Sequence, residues 1–168
     1  MFARKFIDHV DSHADQLCEE FMQKIQCSDS CKELLHRVPA EELRQSMREM
    51  YRNLTDWLLN NTESISEDRY VNLGMRRAGQ GVPFGELFWA VCATREYFWE
   101  YMERETLLDE PADFWGGIQL LHPLDRFFDR ALNFVIIGYQ SGGREELARV
   151  AAISANSGQD RRGARLEN

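Results

Sequence analysis

The chain has 168 residues, 43% of them hydrophobic and 29% charged, with a formal net charge of −8. That mixture suits a globular domain with one hydrophobic core rather than a disordered chain. The acidic balance argues against tracking a nucleic-acid backbone, which calls for a basic surface, and no apolar run approaches the roughly eighteen residues of a membrane span.

Taken in order, the chain reads as helices, with no strand alternation and no repeat. The first helix is expected over 3–26, with Phe6, Val10, His13, Leu17 and Phe21 in one stripe. Residues 1–10 interleave charges with apolar residues, unlike a secretory signal, so a cytoplasmic protein is expected. The four cysteines, Cys18, Cys27, Cys31 and Cys92, then read as free thiols. Residues 27–38 form a connection with a short helical turn. A second helix spans 39–60, opened by Pro39 and by Glu41 and Glu42 at its positive end. Its buried seam is Leu43, Met47, Met50, Leu54 and Trp57. A third runs from a Ser66 cap to Gly79. A fourth, over 83–106, begins at Pro83. A fifth covers 112–139 and contains Pro123, which should kink or divide it. Ser141, Gly142 and Gly143 read as a break, followed by a short helix over 144–154 and a flexible tail. The domain is thus expected over 1–140, with 141–168 appended.

The last two long helices carry more apolar surface than one stripe. On the fifth, one seam holds Phe114, Ile118, Leu121, Asp125, Phe128, Leu132, Val135 and Tyr139. Another, about 100° away around the helix, holds Leu120, Leu124, Phe127, Ala131, Phe134 and Gly138. On the fourth, the core seam is Phe84, Phe88, Val91, Arg95, Phe98 and Met102, flanked by Ala90, Ala93, Tyr97 and Tyr101. A monomer rarely leaves such a patch in water. The expectation is a homodimer whose two helix pairs form a four-helix bundle. Its interface is assigned to Ala90, Tyr97, Tyr101, Leu120, Leu124, Phe127, Ala131 and Phe134. Arg95 and Asp125 interrupt the apolar stripes and are expected to form a buried ion pair.

Catalytic and metal chemistry find little footing. His9 and His13 are spaced to share a helix face, but no third metal ligand follows from spacing. Cys27, Cys31 and His36 lack the second pair a zinc site needs. The segment from Gly79 to Gly81 lacks the ending of a phosphate loop, and no residues fill nucleophile, base and stabiliser roles. His122, before Pro123, is the one candidate axial ligand should the domain hold haem. The expected protein is no enzyme and has no metal or required cofactor.

The stretch Arg76, Arg77, Ala78, Gly79, Gln80, Gly81, Val82, Pro83, followed by Leu87, Ala90, Arg95 and Trp99, carries a pattern of glycines before an aromatic helix. With the run from Leu124 to Asp129 and the pair Gly138 and Tyr139, it resembles the N-terminal domain of the RsbR/RsbRD family of RsbT co-antagonists over about residues 10–140. The resemblance implies a haem-free, globin-like helical fold, a dimer through the last two long helices, and a role as the sensory module of a stress-signalling complex. It also implies an output module, such as a STAS domain, after a helical linker. The residues after Tyr139 are too few for one, so two routes are expected: docking on a separate protein partner, or a chain that is a piece of a longer protein. The leading reading is a non-catalytic bacterial signal-input domain. The alternative is a sensor that binds haem or a small ligand.

Overall fold

In the computed structural model, residues 2–60, 67–105 and 111–163 are described, with side chains over 4–59, 67–105 and 115–153. Among the described residues the fold is all-α: seven helices and one 3₁₀ turn, with no strand. No helix among them is long and apolar enough to cross a membrane.

The expected first helix is two, α1 (Phe2–Ser12) and α2 (Ala14–Gln26). His13 makes the break. Its backbone leaves helical geometry (φ −118°, ψ 15°) and its Nδ1 donates to the His9 carbonyl at 2.9 Å. Such local side-chain bonding competes with helix continuation. Both helices bury an apolar face, from Phe6, Ile7 and Val10 to Leu17, Phe21 and Ile25. A 3₁₀ turn at Asp29–Cys31, capped by the Ser28 side chain, leads into α3 (Lys32–Arg37).

Helix α4 (Ala40–Asn60) buries the expected seam of Leu43, Met47, Met50, Leu54 and Trp57. Helix α5 (Glu67–Gly79) follows; the Ser66 cap lies outside the described residues. Gly81 takes a left-handed φ of 69°, and the Val82 N–H returns to the Arg77 carbonyl at 3.1 Å. That geometry favours glycine and satisfies a terminal carbonyl of α5. Pro83 then precedes α6 (Phe84–Arg104).

Helix α7 runs undivided from Pro111 to Gly163, through Pro123 and through the glycines that were expected to break it. Its partner is α5. A methyl group on Gly74 would collide with the Val135 carbonyl, and one on Gly138 with the Val71 carbonyl. One on Gly142 would come within 2.9 Å of the Met75 carbonyl. The glycines let two helix backbones touch, so they act as packing residues and not as a stop. The appended short helix and tail expected over 141–168 are therefore, as far as Gly163, a continuation of α7. The core gathers α1, α2, α4, α6 and the middle of α7 around Tyr51, Phe98, Phe127 and Phe128.

Candidate functional site

The glycine-rich turn between α5 and α6 is organised by Arg77. The residue is 1% exposed, and its Nη1 donates to Glu42 and, at 2.8 Å, to Gln80 Oε1. Nη2 donates to Ser46 Oγ at 3.0 Å. Gln80 also donates to the Glu42 carboxylate at 3.0 Å. Burial pulls the Arg77 pKa down, against the bonds and charge of Glu42. For Glu42, burial pushes upward, but Arg77 and Gln80 outweigh it and its pKa is lowered. A buried charge is tolerated here because it is paired and hydrogen-bonded. The turn is then tied to α7, because the Tyr139 hydroxyl donates to the Val82 carbonyl at 2.6 Å.

Beside Arg77 lies a partly open cavity of about 60 Å³, bounded by α2, α3, α4, α5 and α6. Its wall includes Ile25, Met47, Met50, Leu87 and Val91, with Ser46 and Thr94 as the hydroxyl-bearing residues.

A second feature is the outer side of α6 and α7. The two helices meet through Phe84 against Tyr139 (ring centroids 5.2 Å), Arg95 beside Asp129, and Phe98 against Phe128. Phe84 also reaches solvent at the edge of that seam, and beyond it α6 presents Phe88, 42% exposed, with Cys92 and Trp99 half-buried. Helix α7 presents Ile118, 40% exposed, and Leu121, with Leu132 and Ile136 half-buried. At helical spacing these line one side of each of two adjacent helices, a strip that Asp125 and Asp129 interrupt on α7. It continues along α7 to Leu147, which is 73% exposed, and Val150.

This strip is not the one assigned from sequence. Leu120 (5% exposed), Phe127 (0%), Leu124 and Ala131 are buried in the chain's own core, and Phe134 is half-buried against it. Trp57 and Tyr70 of α4 and α5 pack on Phe127 and use up that face. Tyr97 and Tyr101 also point inward, the first donating to Glu20 at 2.7 Å, the second sharing a 2.7 Å hydrogen bond with His9 Nε2. Ala90 is half-buried and lines the cavity beside Arg77. The seam with Ile118, Leu121 and Leu132 lies at the border of core and solvent; its Phe114 lies outside the described side chains.

The Arg95–Asp125 pair is also corrected. Arg95 Nη1 lies 3.5 Å from Asp129 Oδ1, and both side chains reach solvent. One turn further along α7, Asp129 is the acid level with Arg95, while Asp125 sits half-buried on the preceding turn. Among the described residues the buried charge is that of Arg77, paired with the half-buried Glu42, and helical periodicity did not anticipate it.

The remaining candidates are dispersed. His9 and His13 stack at 4.3 Å, with one nitrogen of each already hydrogen-bonded. Burial first, then the charge of His13, lowers the His9 pKa. Among the described residues no group of three His, Cys, Asp or Glu side chains could hold a metal ion. Cys31 is buried, Cys27 exposed, and both are free; His36 is exposed. His122 is exposed on α7 and does not belong to the cavity wall.

Comparison with known proteins gives one result. No curated protein and no solved structure matches the chain. A family model described as the RsbT co-antagonist protein rsbRD N-terminal domain matches residues 11–153. That span takes in α2 to α6, the Arg77 turn and α7 past the outer strip, so the chain belongs to the rsbRD N-terminal domain family.

Proposed function

We propose that this chain is a non-catalytic input domain of bacterial stress signalling, working in the cytoplasm as a homodimer through the outer strip of α6 and α7. Family membership supports an input role in stress signalling in general. The observation that carries the dimer is the strip itself. Phe84, Phe88, Ile118 and Leu121 are exposed on two adjacent helices, and a two-fold axis there would bury them as a four-helix bundle. The pairing surface thus draws on the other of the two apolar seams of α7, the one with Ile118, Leu121 and Leu132. A bundle of this kind can hold alternative packings, and a protein partner that reads one of them receives the signal.

Sedimentation of the purified chain at tens of micromolar tests the reading. The expected result is a dimer that becomes a monomer, with unchanged helix content, in a Phe88→Glu/Leu132→Glu double variant. A wild-type chain that sediments as a monomer across that range overturns it.

One observation favours the ligand-sensor alternative in its small-molecule form: the cavity beside Arg77 is apolar and adjoins the turn that holds Tyr139.

A further inference from the structure

We infer that the cavity beside Arg77 is a binding site for a small, uncharged, apolar molecule of a few heavy atoms. The inference deepens the input-domain reading, since it names the class of signal that such a domain could receive.

Size sets the first limit. The cavity is about 60 Å³. An apolar protein cavity of about 150 Å³ takes up benzene or xenon, so the present one admits an atom, a dissolved gas or a very short chain, and excludes a macrocycle.

Polarity sets the second. A trapped water needs two to four polar partners, and the polar groups of this wall are engaged elsewhere. Arg77 donates to Glu42, Gln80 and Ser46. Ser46 donates to the Glu42 carbonyl at 2.9 Å, and Thr94 to the Ala90 carbonyl at 2.8 Å. Among the described residues, the buried side-chain polar atom left without a partner is the Tyr51 hydroxyl, and Tyr51 is not in this wall. Water therefore gains little by entry, whereas an apolar guest gains contacts that the wall atoms lack. Charge sets the third limit. The one cation of the wall is already paired with Glu42, so an anionic guest would have to displace that carboxylate.

The wall also touches the parts that could report occupancy. Arg77 accepts from the Val82 N–H through its carbonyl, Val82 accepts from the Tyr139 hydroxyl, and the Tyr139 ring lies on Phe84 at the edge of the outer strip. Entry lies where the wall thins, at the half-buried Ser46, Leu73 and Ala90 between α4, α5 and α6.

Xenon is the probe, applied to the full chain under pressure and followed by methyl NMR. The expected result is a saturable shift concentrated on the methyls of Met47, Met50, Leu87 and Val91. The shift should be lost in Ala90→Leu, which projects a side chain into the space, and kept in Ala148→Leu on the exposed part of α7. A folded wild-type chain whose cavity methyls do not move, or move no more than that of the exposed Leu147, overturns the inference. Sedimentation of the same samples separates the two readings. A monomer with saturable xenon shifts removes the dimer and leaves the site; a dimer without them removes the site and leaves the dimer.

Discussion

Arg77 shows how one buried side chain can tie a turn to a neighbouring helix. Its guanidinium is held by Glu42, Ser46 and Gln80, so loss of a partner leaves a buried charge uncompensated. We expect Glu42→Ala to cost about 3 kcal/mol by denaturant unfolding. The Glu42→Leu/Arg77→Met double variant should be less damaging than the sum of its parts, because it removes both charges. His9 makes a prediction about acid. Its folded-state pKa lies below the ordinary 6.5, from burial first and the charge of His13 second. The unfolded chain then binds the proton more readily. Stability from the neutral ring is complete above that ordinary value and is lost as pH falls through the folded pKa. Thermal melts from about pH 7 to about pH 5 should therefore fall more steeply in wild type than in His9→Gln. Equal slopes would exclude a contribution from His9. Neither residue was legible in advance. Periodicity put His13 on the core stripe, where the structure has it half-buried at a helix break, and it gave Arg77 no place in the core because it cannot see which distant element covers it.

At the scale of elements, spacing served where one face of a helix meets one core. Helix α4 buries the five residues its 4-3-4-3 pattern named. It failed where a glycine has two meanings. Gly142 and Gly143 read as a stop, yet α7 passes through them because the Gly142 backbone lies against Met75 and Ala78 of α5. The two meanings can be separated by substitution. Gly138→Ala drives a methyl into the Val71 carbonyl, and we expect a net loss of about 2 kcal/mol, since overpacking outweighs the gain in helix propensity. Gly143 has open space around its Cβ position, so Gly143→Ala should be stabilising by up to about 1 kcal/mol. Urea titrations of the two variants would show opposite signs. The two-seam helix was legible only in part. The excess of apolar surface on α7 was visible, but the choice of side was not. A usable signal was present: Asp125 interrupts the seam that borders solvent, while no charge interrupts the seam that became core.

For the molecule as a whole, the net charge of −8 bears on the proposed association. Two acidic chains repel one another at long range, while the strip that would join them is apolar. Raising salt from about 0.05 to about 0.5 M should therefore tighten the dimer, because the Debye length contracts from over ten ångströms to a few. Sedimentation at the two salt concentrations reads this directly, and a dimer that loosens in salt would mean ion pairs dominate the contact. Beyond the body, α7 changes character. From residue 144 to residue 153 every side chain is exposed, while the helix itself goes on to Gly163. Those 19 steps from Arg144 to Gly163 span roughly 28 Å, so a pivot of about 10° where Gly138 and Gly142 clasp α5 would swing the far end by roughly 5 Å. In such a pivot the glycine clasp would be the fulcrum and the distal helix the pointer, turning a slight rearrangement at its root into a displacement that another molecule could feel.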